Sequence, residues 1–144
     1  MRMKAFIDTN ILLDWLLKDR PAKPFAEKIL TASRLGLFDT YLSTQSIIDA
    51  SYSAVKEGIK YEEFKPRLQS LCSFVKILSI DYLDLLWAME HHTGDFEDDA
   101  QWASAYNSVC DYFITRDNRM LAYNTSSCPM KVISPAAFVA AMEE

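Results

Sequence analysis

Two periods of hydrophobicity alternate along this chain. Short apolar runs flanked by polar residues read as strands buried on both faces, and apolar positions three and four apart read as helices. Met3 to Ile7 is predicted as a first strand, ended abruptly by Asp8-Thr9-Asn10, and Asn10 to Leu17 as the helix that follows. Pro24 to Arg34 continues the helical period, with Gly36 as its C-terminal stop. Tyr41-Leu42-Ser43 is a short strand, after which Ser43 or Thr44 caps a helix to about Lys56, closed by Gly58. A helix is predicted from Tyr61 to Phe74, a strand over Val75 to Leu78, and a helix capped by Asp81 that runs through Met89. Gly94 interrupts the pattern before a helix from Phe96 to Val109. Tyr112-Phe113-Ile114 and Lys131-Val132-Ile133 are the last strands, and Pro135 opens a terminal helix at its first position.

Short strands alternating with helices imply an α/β fold, with a central parallel sheet of four to five short strands flanked by helices on both faces. Right-handed crossovers then bring the C-terminal ends of all strands to one edge, where ligands of open α/β sheets bind.

Composition narrows this picture. With 144 residues, half of them hydrophobic, the chain suits a single domain over 1–144 with one real core, and no repeat, linker or low-complexity tract divides it. No apolar run nears the roughly 18 residues needed to span a bilayer, and no secretory signal pattern opens the sequence, so a cytoplasmic protein without a membrane partner is expected. Cys72, Cys110 and Cys128 are too widely spaced for a zinc site, even with His91 and His92, and read as reduced, mostly buried thiols. The net charge of −5 and the lack of any basic block exclude a broad cationic face for duplex binding. Local phosphate contacts remain open to Lys18, Arg20, Lys23, Arg116 and Arg119.

Four carboxylates carry the candidate chemistry. Asp8 ends the first strand, and Asp117 ends the strand Tyr112-Phe113-Ile114 within Thr115-Arg116-Asp117, which puts both on the C-terminal edge. Asp98 opens the helix that leads back into the sheet, on the same face as Trp102, Ala105 and Val109. Asp49 interrupts the apolar passage between Ile48 and Ala50. Singly, each has a plainer reading: a cap, a turn residue, a dipole partner or a satisfied half-buried acid. Together they are costly to bury unless a cation neutralises them, and hard divalent ions, Mg²⁺ or Mn²⁺, match oxygen ligands. Such ions suit phosphodiester hydrolysis.

These segments resemble the motifs of the PIN-domain ribonucleases. Phe6-Ile7-Asp8-Thr9-Asn10-Ile11-Leu12 is similar to the first motif, with Asp8 as its leading acid. Ser43-Thr44-Gln45-Ser46-Ile47-Ile48-Asp49 resembles the second, with Asp49 where the family usually has Glu. Asp95-Phe96-Glu97-Asp98-Asp99-Ala100, with Ala103 and Ala105, resembles the third and selects Asp98. Ile114-Thr115-Arg116-Asp117 resembles the fourth, followed by Met120 and Leu121 where relatives often place another acid. The ordered set covers almost the whole chain. The resemblance implies a Mg²⁺- or Mn²⁺-dependent endoribonuclease acting on single-stranded or structured RNA. Many bacterial members of this size are VapC-like toxins, dimeric and restrained by a small antitoxin. Asp8, Asp49, Asp98 and Asp117 would be both catalytic and metal-binding, with Thr115 and Asn10 supporting them by hydrogen bonds.

Two other functions are weighed against this one. A catalytically weak or inactive module would bind RNA or protein through the same acidic pocket. A phosphatase would use Asp8 as nucleophile, but such sites place an acid two residues later, where this chain has Asn10. Arg20 is expected either at an RNA phosphate or paired on the surface with Asp14 or Asp19, and Arg116 at a carboxylate or a phosphate. Asp95, Glu97 and Asp99 are expected on the rim, with metal binding through water open to any of them, and Trp15, Phe38, Tyr41, Tyr52 and Trp87 in the core or against a partner.

Overall fold

The computed structural model describes residues 2–91, 95–124 and 128–144. Five strands form one parallel sheet: β1 (Lys4–Ile7), β2 (Asp39–Ser43), β3 (Lys76–Leu78), β4 (Tyr112–Ile114) and β5 (Lys131–Ile133), in the order β3-β2-β1-β4-β5. The connections run outward from β1 through β2 to β3, then cross back to β4 and β5, so the topology switches between β1 and β4. That switch opens a crevice beyond the strand ends, and Asp8 and Asp117 follow the two strands that border it. The edge strands β3 and β5 have three residues each.

Side chains alternate across the sheet and feed two cores. Ala5, Ile7, Leu42 and Ile114 face the larger one, with Ile11, Leu12, Ile29, Leu30, Ala50, Leu71 and Phe138. These come from α1 (Thr9–Leu16), α2 (Lys23–Arg34), α3 (Thr44–Lys56), α4 (Tyr61–Cys72) and α8 (Pro135–Met142). Phe6, Tyr41, Phe113 and Val132 face the smaller core, with Ala105 of α6 (Phe96–Asn107) and Met120 of α7 (Asn118–Leu121). Phe6 and Phe113 are register partners on β1 and β4, and their rings stack at 5.3 Å. α5 (Tyr82–Glu90) packs on α6 and begins with a reciprocal cap between Asp81 and Asp84. The α/β architecture with helices on both faces of a parallel sheet is the one expected.

Local chemistry explains the boundaries. Ser43 caps α3 by accepting from the Ser46 N–H, and Ser134 caps α8 with Pro135 at the first position. Gly36 follows α2 with φ +82°, a left-handed conformation that costs glycine little.

Several expectations need correction. β2 begins at Asp39, two residues earlier than the apolar run, because Asp39 and Thr40 pair with Lys4 and Ala5. α6 stops at Asn107, and Val109 takes φ +59° with 74% of its surface exposed, so the stripe from Asp98 through Trp102 and Ala105 meets the smaller core but does not continue to Val109. The buried positions of α6 are Asp99, Ala100, Gln101, Ala103, Ser104 and Ala105. The short helix α7 was not foreseen. Of the cysteines only Cys110 is buried, while Cys72 is exposed. Tyr52 is exposed, which leaves the partner-contact half of its expectation and removes the core half. Gly94 and His92 lie outside the described residues. Among the described residues no helix is long and apolar enough to cross a membrane.

Candidate active site

Asp8 sits at the tip of β1 and caps α1. Its N–H donates to Ile114 O at 3.0 Å, which extends the β1–β4 ladder one step to the crevice. Its Oδ1 accepts from the Thr9 N–H at 2.7 Å, and its Oδ2 accepts from Thr115 Oγ1 at 2.8 Å and Asn10 Nδ2 at 3.1 Å. Burial pushes the Asp8 carboxyl up, against the hydrogen bonds from Thr115 and Thr9, and the charges of Asp117 and Asp95 push the same way.

Thr115 ties β4 to this carboxylate. It is fully buried, and its hydroxyl also accepts from the Asp117 N–H at 3.0 Å. Asp117 in turn caps α7, accepting from the Arg119 N–H at 2.9 Å. One strand end therefore aims two groups at the crevice, a hydroxyl inward and a carboxylate outward.

α6 supplies the opposite wall. Asp95 caps it by accepting from the Asp98 N–H, and Asp98 and Glu97 project from its first turn. Burial, then the charges of Asp8 and Asp95, and a hydrogen bond to Asp117 raise the Asp98 carboxyl to about 8. Asp117 is held low: burial opposes this, but hydrogen bonds from Arg119 and Asp98 prevail. Asp98 keeps the proton of that pair. Glu97 is raised to about 8 by a hydrogen bond with Asp49, by burial, and by the charges of Asp49, Asp95 and Asp8. Asp49 lies on α3 and also accepts from Gln45 Nε2 at 2.8 Å.

Arg119 is the cation among these acids. Its Nη2 lies 3.3 Å from Asp117 and 3.8 Å from both Asp95 and Asp98. Among the described residues no three acidic, histidine or cysteine side chains already stand close enough to cage an ion. They are instead paired off: Asp98 with Asp117, Glu97 with Asp49, and Arg119 across three of them.

The structure thus brings Asp8, Asp98, Asp117 and Asp49 to one edge, with Thr115 and Asn10 bonded to Asp8. Glu97 belongs with them, although the sequence placed it on the rim. The acid run from Asp95 to Asp99 was visible, but which acid faces Asp49 depends on how α6 docks. Asp99 points inward and is fully buried, contrary to expectation. Arg116 clamps Asp14 with two bonds of 2.6 and 3.0 Å, and Asp14 is buried rather than at the surface. Arg20 pairs with Glu57 just past the C-terminal end of α3, about two turns beyond Asp49. His91 ends α5, its ring stacked on Trp87 at 4.0 Å.

The donor set suits a hard divalent ion. It is all oxygen, and its charge is so poorly compensated that two carboxyls retain protons up to about 8.

A parallel α/β sheet with acids converging at its switch point defines a class of fold in which the strand tips carry the chemistry. The PIN domain family model matches residues 4–119, and the chain belongs to that family. No curated protein matches it by sequence. Among solved structures it is similar to VapC20 of Mycobacterium tuberculosis, a Sarcin-Ricin loop cleaving toxin, with TM-score 0.66 and 10% identity over 87% of this chain and 99% of that one. It is similar to a toxin–antitoxin complex from Klebsiella pneumoniae, with TM-score 0.63 and 21% identity over 91% and 97% of the two chains. VapBC2 from Rickettsia felis, bound to a DNA fragment from its promoter, gives TM-score 0.66 and 13% identity over 92% and 98%. At these identities the likeness is one of fold.

Proposed function

We propose that this protein is a Mg²⁺- or Mn²⁺-dependent endoribonuclease, the toxin of a bacterial toxin–antitoxin pair. The observation that carries the reading is the convergence of Asp8, Asp49, Glu97, Asp98 and Asp117 at the sheet's switch point, where Arg119 alone among the described cations pairs with three acids and Glu97 and Asp98 are both raised to about 8. Asp8, Asp49, Asp98 and Asp117 would hold the ion, with Glu97 beside Asp49. When bound, such an ion lowers the pKa of water and stabilises charge on phosphate oxygens. Thr115 and Asn10 fix the Oδ2 of Asp8 by donating to it, which holds that carboxylate in one orientation. Glu97 and Asp98 must release their protons before they can ligate, so ion affinity rises with pH. The guanidinium of Arg116 is engaged by Asp14, which holds the Thr115-Arg116-Asp117 turn against α1.

The similar structures include toxin–antitoxin complexes, which supports a small antitoxin partner for this chain; a homodimer and a cytoplasmic setting are part of the same proposal. Asn10 donates to Asp8 and offers no proton to a leaving group, so the phosphatase reading gains no support. A catalytically weak RNA- or protein-binding module is the second reading, favoured by Arg119 lying among the acids. Single-stranded RNA with Mn²⁺ or Mg²⁺ decides between them. The wild type should cleave, and Asp8→Asn should lose about a hundredfold or more, since several kcal/mol of charge stabilisation depend on the ion. Equal cleavage by both proteins would remove Asp8 from the chemistry. Absence of cleavage with divalent-ion binding retained would leave the binding module.

A further inference from the structure

Beneath the carboxylates the uncharged side chains of Thr9, Ser43, Ser46 and Gln101 form a hydrogen-bonded set that reaches up to Glu97. Ser43, Ser46 and Gln101 are each 0% exposed. Ser46 Oγ donates to Gln101 Oε1 at 2.9 Å and accepts from Ser43 Oγ at 3.1 Å. Ser43 Oγ accepts from the Ser46 N–H at 3.0 Å. Gln101 Nε2 donates to Thr9 Oγ1 at 3.2 Å and to Glu97 Oε1 at 3.4 Å. The single proton of Ser46 is committed to Gln101, so the 2.7 Å contact between Thr9 Oγ1 and Ser46 Oγ has Thr9 as donor. Each hydroxyl proton and both amide protons of Gln101 then have one destination, and the network has a unique polarity.

The three helices that meet here are those that carry or are capped by Asp8, Asp49 and Glu97. Thr9 opens α1, and its N–H holds Asp8 Oδ1 at 2.7 Å. Ser46 lies in the first turn of α3, which bears Asp49, and Gln101 lies on α6, four residues after Glu97. Hydrophobic side chains of similar volume would fill this space without polar groups to satisfy, and such exchanges commonly leave stability unchanged or raise it. What apolar contacts lack is direction. A hydrogen-bonded set with one allowed polarity fixes the mutual rotation and separation of its members.

We infer that Gln101 is a positioning residue: its amide clamps Thr9, Ser46 and Glu97 and so sets the spacing between the Asp8, Asp49 and Glu97 carboxylates to which a divalent ion binds. The inference rests on the metal reading proposed above. Gln101 itself stays out of contact with ion and substrate.

Thr9→Val and Thr9→Ser test it, together with Gln101→Met. Valine keeps the shape of threonine and removes the hydroxyl, while serine keeps the hydroxyl and removes the methyl. Mn²⁺ affinity is measured by calorimetry on the full chain, with thermal melts in chelator as the check on folding. Thr9→Val and Gln101→Met should each weaken Mn²⁺ binding by about tenfold or more, the usual effect of losing an outer hydrogen-bond partner of a metal site. Thr9→Ser should bind within about twofold of wild type on the same scale. If Gln101→Met does not fold, the threonine pair carries the test alone. Wild-type affinity in Thr9→Val, or equal loss in Thr9→Val and Thr9→Ser, would overturn the clamp. A wild type that binds no Mn²⁺ would overturn the metal reading and the clamp with it, and the two failures are distinct.

Discussion

The two ends of the same parallel sheet treat their carboxylates differently. Where β2 begins, Asp39 lies 3.7 Å from Arg2 and 3.5 Å from Lys76, two cations to one acid, all partly in solvent. Nearby, Asp111 accepts from the Lys4 N–H. At the opposite end Asp95, Asp98 and Asp117 share Arg119, the single cation paired with them among the described residues, while the charges of Asp49, Asp95 and Asp8 push on Glu97. A compensated acid serves the fold. An uncompensated group of acids destabilises it, and such crowding marks sites kept for another purpose.

The largest expected effect lies with the compensated kind. Asp14 is buried with its charge met by Arg116, and Arg116→Ala strands it. Denaturant melts should show a loss of about 3 kcal/mol, as for other broken buried pairs. A loss below about 1 kcal/mol would place this pair with ordinary surface bridges.

Next comes the pH dependence of the metal-free protein. Glu97 and Asp98 have folded values of about 8 against ordinary values of 4.5 and 3.8. Between those limits the folded state binds more protons than the unfolded one, so stability falls as pH rises through this window. Melts in chelator should therefore drop in Tm from pH 5 to pH 8.5. Asp98→Asn should flatten the curve and raise Tm at its alkaline end. A Tm that climbs over this range would reverse the sign and remove the crowding argument.

Arg119→Ala should sharpen the comparison by deleting the cation that, among the described residues, pairs with Asp95, Asp98 and Asp117. Because Arg119 is largely exposed, Mn²⁺ affinity should rise only about twofold to fivefold. Weaker binding would show that Arg119 helps to build the site rather than competing for it. The smallest effect belongs to Asp39→Asn, which should stay within about 0.5 kcal/mol of wild type in denaturant melts.

The sequence made the sheet legible because its apolar runs are short and sharply bounded: Tyr112 to Ile114 and Lys131 to Ile133 are strands over those residues. Asp8 and Asp117 were legible for the same reason, since a strand end fixes the edge on which the next residue lies. Residues whose surroundings come from distant parts of the chain were not. Asp14 looked like a surface acid because its partner, Arg116, arrives from β4. Glu97 looked like a rim residue because its partner, Asp49, sits on α3. Val109 fitted the helical period, but its positive φ comes from the turn that redirects the chain into β4. Its N–H donates to Tyr106 O and that of Cys110 to Ala105 O, bonds that close α6 rather than extend it.

The sheet is bounded by β3 and β5, strands of three residues that each begin with a lysine. Little unpaired backbone is left along either border for a foreign strand to zip against, and a charge stands at the start of each. Association with another chain by strand addition is therefore disfavoured, and recognition falls to side chains on the helical faces. Exposed apolar side chains such as Ile48, Tyr52 and Val55 along α3, or Tyr82, Leu83 and Met89 along α5, are what such a face offers in place of backbone. The fold can thus present acids at one rim without also offering a sticky border to every unfolded segment it meets.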